Sequence, residues 1–162
     1  MSSLPDEPRL ATAGEAAVVA ELLARFNREY DAPTPDVGVL STRVERLLRG
    51  SNVVALLAGE PAVGVALVTL RPSVWYKGPV AVLDELYVVP AKRRRGIGTA
   101  LLRAAETTCR QHGAELLEIN VDGEDEDARR FYERHGYANR ERNQTEPQLY
   151  YFRELGLPDS AR

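Results

Sequence analysis

Residues 83–102 constrain this chain more than any other stretch. An apolar run through Leu86, Tyr87, Val88 and Val89 stops at Pro90 and meets the basic cluster Lys92-Arg93-Arg94-Arg95. It then passes Gly96 and Gly98 and continues into Thr99-Ala100-Leu101-Leu102. The pattern reads as a strand over 80–89, a basic turn with two glycines, and a helix over 98–112. That order builds an anion site. Glycine lets backbone approach a ligand closely, and the first amides of a helix have no partner within it. The helix dipole adds positive character at the same point, which favours phosphate.

The spacing Arg93-x-x-Gly96-x-Gly98 excludes two other phosphate loops. A mononucleotide P-loop needs Lys then Ser or Thr after its last glycine, and here Gly98 is followed by Thr99 with no Lys. A dinucleotide loop needs a third glycine and an acid about twenty residues on. Glu118 stands near that distance, but Leu101 and Leu102 fill the place of the glycine. The missing Lys after Gly98 and the missing Mg²⁺-binding pattern argue against a kinase-like or nucleotide-binding reading.

Around this segment the chain reads as alternating elements. Thr12 and Glu15 form a capping box before a helix to about residue 30, with Val18, Val19, Leu22, Leu23 and Phe26 on one side. The stretch 31–35 breaks it, and a second helix starts at Asp36 or Ser41 and ends at Arg49. Strands are expected over 52–58 and 61–70, joined by a tight turn at Gly59-Glu60. A loop over 71–78 carries Trp75 and Tyr76. After the central strand and its helix come a strand over 114–121, a helix over 125–135 ended by Gly136, and two last strands over 137–142 and 148–155. The fold class implied is α/β (α+β), a mixed, mostly antiparallel sheet flanked by helices on both faces, with one parallel crossover.

At 162 residues the chain is expected to be one domain, 1–162, with residues 1–8 disordered. A formal charge of −3 argues against nucleic acid as a partner, because positive charge gathers only at 92–95. The longest apolar stretch, 62–70, is too short to cross a bilayer, and the start lacks a secretory pattern; no membrane partner and a cytoplasmic location are expected. Cys109 is the single cysteine, so an internal disulfide and a cysteine metal cluster are excluded; it falls in the stripe Ile97, Leu101, Leu102, Ala105, Cys109 and reads as packing. Basic residues are Arg apart from Lys77 and Lys92, and Ala is frequent, the usage of a GC-rich bacterial genome.

A second segment completes the pattern: Asp125-Glu126-Asp127-Ala128-Arg129-Arg130-Phe131-Tyr132-Glu133-Arg134-His135-Gly136-Tyr137. Ala128, Phe131, Tyr132 and His135 recur at i, i+3, i+4 and i+7, one helix face. The loop Arg93-x-x-Gly96-x-Gly98 and this segment, in this order, resemble the two recognisable motifs of the GNAT superfamily of N-acetyltransferases, over about residues 8–155. The second motif usually begins with Asn, where this chain has Asp125. Asp caps a helix as Asn does, but a contact of that Asn with coenzyme would be altered here.

The resemblance implies a central sheet splayed between the central strand and the next, and an acetyl-CoA-dependent N-acetyltransferase with no metal. It places Arg93, Arg94, Arg95, Gly96, Ile97, Gly98 and Thr99 around the coenzyme's pyrophosphate. The pantetheine arm is expected near Asn120 and beside small Ala128. A bulge amide for the reacting carbonyl maps to Leu86, Tyr87 or Val88. Tyr132 corresponds to the family's acid for the leaving thiolate. Glu85 is the candidate base, directly or through water; an acceptor-binding or simply exposed carboxylate is the other reading of it. In a regular strand Asp84 points away from Glu85. The acceptor amine, in a small cationic molecule or a protein, is expected near Phe26, Tyr30, Asp31, Trp75 and Asp84. His112 and His135 read as helix-end cations rather than bases. A homodimer is left open, since members of the family pair through their last strands. A sensor of the same fold that binds acyl-CoA without turnover is the alternative.

Overall fold

The computed structural model describes residues 6–156, which divide into two compact units, one up to Ile119 and one from Asn120. The first unit is a five-stranded sheet in the order β1-β2-β3-β4-β5. Its strands are β1 Pro8–Leu10, β2 Val53–Ala58, β3 Gly64–Arg71, β4 Val80–Val88 and β5 Leu116–Ile119. The first three pairings are antiparallel, and β4 pairs β5 in parallel. Helices α1 Ala16–Glu29 and α2 Val37–Arg49 precede β2, and α3 Ile97–Gln111 makes the crossover from β4 to β5. This is the mixed sheet with one crossover that the sequence implies.

The sheet is covered on both faces because its strands are apolar on both. Val65 and Leu67 of β3 pack with Val19, Leu22 and Leu23 of α1 and Val44 of α2. Their neighbours Gly64, Ala66 and Val68 point the other way, as strand alternation requires. There a side chain on Gly64 would meet Leu101 at 2.9 Å and Ile97 at 3.3 Å, so α3 lies against that face. Ile97, Leu101, Leu102, Ala105 and Cys109 are all buried, the full predicted stripe. Burial pushes the Cys109 thiol up to about 11, consistent with packing rather than reactivity.

Each long helix starts and stops where local chemistry provides for its orphaned groups. The Thr12 N–H donates to Glu15 Oε2 at 2.9 Å, in a 3-10 turn that leads into α1. Asp36 accepts from Gly38 N–H at 2.8 Å and starts α2, settling the choice between Asp36 and Ser41. Helix α3 ends with Gly113 at φ 81°, whose N–H reaches Arg110 while that of Ala114 reaches Cys109, the two bonds of a Schellman cap. Helix α1 ends the same way without glycine: Asp31 has φ 53°, and the N–H groups of Asp31 and Ala32 reach Arg28 and Asn27.

The second unit holds α4, Glu126–Arg134. Asp125 Oδ1 accepts from Ala128 N–H at 2.9 Å, so this Asp caps the helix as Asn would. Ala128, Phe131, Tyr132 and His135 are half-buried, as their shared face predicts, while the helix positions between them are exposed.

Four expectations need correction. Of residues 1–8, expected to be disordered, Pro8 instead opens β1 on the edge of β2, since a three-residue edge strand needs only backbone pairing; residues 1–5 lie outside the described residues. The turn after β2 takes in Pro61, Ala62 and Val63, because Pro61 has no N–H to give a ladder, and β3 starts at Gly64. Val18 falls on the exposed flank of α1. Residues 137–142 and 148–155 form no strand: Gln148 N–H donates to Asn139 O at 2.7 Å, but no ladder forms, and Tyr150, Tyr151 and Phe152 are exposed. A lone strand pair without an apolar face to bury is marginal in water. Among the described residues, no helix is long and apolar enough to cross a membrane.

The loop between β3 and β4 is held by contact of backbone on backbone. A side chain on Gly78 would lie 2.1 Å from the Gly113 carbonyl oxygen. Gly78→Ala is therefore expected to destabilise by about 2–3 kcal/mol, the upper range for overpacking. Urea unfolding checks this, with Gly123→Ala, which meets open space, as the mild control.

Candidate active site

The loop after β4 has the backbone of an anion cradle. Gly96 caps α3 at φ 81°, and Arg94 is also left-handed at φ 61°, with Arg95 between them of ordinary sign. Alternating handedness of this kind forms backbone concavities for anions. A side chain built on Gly96 would meet nothing within 4 Å, so the space beside it is open. The amides of Ile97 and Gly98 start α3, where no carbonyl one turn back serves them. Arg94 and Arg95 are exposed at the same turn. The donor set and the open space suit an anion of the size of a diphosphate.

Upstream, β4 carries one residue too many. Leu67 pairs Glu85, but the next residue, Val68, pairs Leu83, so Asp84 has no partner on β3. This bulge inverts the strand's alternation. Leu83 is opposite Val68 on the α3 face, whereas Glu85 and Tyr87 are opposite Leu67 and Val65 on the α1–α2 face. Asp84 does not point away from Glu85. Its carboxylate accepts from the hydroxyl of Thr69, which shares the α1–α2 face with Leu67. Two adjacent carboxylates thus occupy one face, and Glu85 is half-buried. Burial, and then the charge of Asp84, raise the Glu85 carboxyl above its ordinary 4.5.

The bulge lies two residues before Leu86 rather than at 86–88, and it has a second effect. Val89 N–H donates to Val63 O at 2.9 Å, on the β3 side. Strand amides alternate sides, so those of Leu86 and Val88 point to the other edge, and that of Tyr87 points into the β3 ladder. On that other edge the β5 ladder ends at Leu83 opposite Ile119. Beyond it, β4 leaves backbone donors without a strand partner.

Arg93, expected at the phosphate, does something else. Its Nη1 and Nη2 meet the two oxygens of Glu29 at 2.6 and 2.7 Å, and its Nε–H donates to Val88 O at 2.9 Å. The guanidinium also lies 5.6 Å from the Tyr87 ring centroid. Tyr87 stacks on Phe26 at 5.2 Å. The Arg93 hydrogen bonds hold the Glu29 carboxyl below its ordinary value, and Glu29 in turn raises Arg93.

The fold and this loop can be set beside known proteins. The Acetyltransferase (GNAT) family model matches residues 17–137, spanning both compact units. The chain belongs to that family. It is 31% identical to the uncharacterized N-acetyltransferase YhfO of Bacillus subtilis over 132 residues, 80% of this chain and 87% of that protein. Over 63 residues, 38% of this chain and 41% of the other, it is 41% identical to the aminoglycoside N(6')-acetyltransferase type 1 of Klebsiella aerogenes. A crystal structure of an Arthrobacter sp. FB24 protein superposes with a TM-score of 0.89 at 55% identity, covering 96% of this chain and 99% of that one.

Within this acetyltransferase, the residues expected at the acceptor separate. Phe26 packs between Tyr87 and Tyr30, which it meets edge-on at 5.3 Å, and so belongs to the core's margin. Tyr30 and Asp31 follow on the exposed end of α1. Trp75 is 88% exposed on the loop before β4, at the end of that strand opposite the anion loop. In the second unit, Tyr132 meets Phe131 and Tyr137 edge-on at 5.1 and 5.8 Å, and Asn120 is exposed. Among the described residues no three of His, Cys, Asp and Glu gather as metal ligands. Sequence reasoning missed Glu29 and Thr69. Their partners lie 64 and 15 residues away, and neither carries a motif.

Two stability measurements follow. A carboxyl whose folded pKa is raised loses its contribution as pH rises through that pKa, so ionised Glu85 costs stability at neutral pH. Glu85→Gln should melt higher than the parent at pH 7.5 and alike near pH 4. Asp31→Gly should gain about 0.5–1 kcal/mol by relieving a left-handed non-glycine residue, read from thermal or urea unfolding.

Proposed function

We propose that this acetyltransferase moves the acetyl group of acetyl-CoA to a primary amine of a small molecule or of a protein or peptide. The observation that carries the reading is the Asp84 bulge, which sets a half-buried, pKa-raised Glu85 beside strand amides that lack a strand partner, one turn upstream of the anion loop. The amides of Ile97 and Gly98, with Arg94 and Arg95, would hold the pyrophosphate. Acetyl-CoA, when bound, supplies an activated thioester carbonyl.

The chain's own residues would do the rest. An amine attacks only when neutral, so Glu85 takes its proton, a task for which a raised carboxyl pKa is suited. The amide of Leu86 or Val88 serves the carbonyl oxygen as negative charge develops on it. By its place in the family's second motif, Tyr132 would be the acid for the departing sulfur. Asp84 and Glu85 on one face favour a cationic acceptor. The aminoglycoside enzyme among the relatives acts on such a compound, which supports a small polyamine-like acceptor over a neutral one.

Thiol release from acetyl-CoA across a panel of polyamines, aminoglycosides, amino-acid derivatives and peptides tests this. Glu85→Gln is expected to lower kcat/KM by about 10²–10⁴ and to remove the acid limb of the pH profile. Asp84→Asn should move that limb to lower pH, because a charge that raises the Glu85 pKa is gone. Tyr132→Phe should lower kcat with coenzyme affinity nearly unchanged. Coenzyme binding with no thiol released for any amine would contradict transfer and favour a sensor.

A further inference from the structure

Arg93 stands first in the loop motif, yet its guanidinium is engaged by protein. Both oxygens of Glu29, at the last turn of α1, grip its Nη1 and Nη2, and the third bond, from Nε–H, goes to the Val88 carbonyl. Val88 is a residue of the unpaired edge of β4, and Arg93 begins the turn that carries left-handed Arg94 and Gly96. Three pieces of chain are thereby fixed by one planar cation: the end of α1, the edge of β4, and the entry of the anion loop. The Tyr87 ring under the guanidinium closes the arrangement from the core side. A fork-to-fork pair holds orientation as well as distance, which a lysine or a single bond does not.

The charge consequence is as important as the geometry. Glu29 neutralises Arg93, so the pair brings no net charge to a phosphate. Attraction is left to Lys92, Arg94 and Arg95 together with the backbone amides. The pair orients the amides that receive the ligand.

We propose that Glu29 is a positioning residue for the coenzyme loop: through its two-point hold on Arg93 it fixes the loop's entry and the open edge of β4 in the arrangement that receives the diphosphate, and it ties the helix on the acceptor face to that arrangement. This rests on the reading of the loop as the acetyl-CoA site. Glu29 touches neither coenzyme nor acceptor; it acts through Arg93.

Calorimetric titration of the full chain with coenzyme A at 20 °C tests it, with Glu29→Gln, Arg93→Lys and the double variant Glu29→Gln/Arg93→Lys beside the parent. Each single variant should weaken the dissociation constant about tenfold, and the double variant no more than either single one, because both remove the same two-point hold. Hydrogen exchange should quicken at 92–98 in each variant while the amides of β2 and β3 keep their protection. Unchanged coenzyme affinity in folded variants that merely melt lower would overturn the proposal, leaving the pair a structural brace. Additive losses in the double variant would overturn it as well. If the Gln variant does not fold, Arg93→Gln, which keeps a planar donor in place of the guanidinium, must show the same weakening. A parent chain that binds no coenzyme A overturns the coenzyme reading itself, a result distinct from the others.

Discussion

One inserted residue in one strand governs the site. A strand of strict alternation running from Val80 to Val88 would have to give all its odd positions to one face. With Asp84 unpaired, Ala81 and Leu83 serve the α3 layer while Glu85 and Tyr87 serve the α1–α2 layer. The same strand therefore contributes to both cores, and the crossing point is where the two carboxylates emerge together. Burial of Glu85, and after it the charge of Asp84 on the same face, raise the Glu85 carboxyl. No distant group is needed to explain it.

Function and stability pull apart at this point, as they do at many sites built for chemistry. A half-buried carboxylate beside another is a poor choice for packing, and Gln would serve the fold better at neutral pH. Left-handed Arg94 is a similar cost of about 1 kcal/mol in the loop. Both are held by strong neighbours: the apolar sheet on one side and the Glu29–Arg93–Val88 arrangement on the other. The helices end economically by comparison, with Asp31 doing at α1 what Gly113 does at α3.

Much of this was legible in the residues. The loop motif, the α3 stripe, the Asp125 cap and the parallel crossover all come from local signals, where spacing alone states which groups meet. The bulge was anticipated only by resemblance and misplaced by two residues, because register depends on the partner strand and Leu67 and Val68 carry no mark of a shift. Arg93 was assigned to phosphate because its motif position says so; its partner Glu29 lies across the fold and no periodicity points to it. Trp75 was drawn to the acceptor by its chemistry, whereas its place is set by the length of β4. The two last strands, expected over 137–142 and 148–155, are absent, because a segment without a ladder partner does not make a strand.

The account stands or falls on the carboxyl of Glu85. Carbon-detected NMR titration of that side chain, assigned by comparison with Glu85→Gln, should give a pKa above the ordinary 4.5, and replacing Asp84 by Asn should bring it down. A value at or below 4.5, or one indifferent to Asp84, would mean that the two acids do not share a face and that the bulge does not build the site.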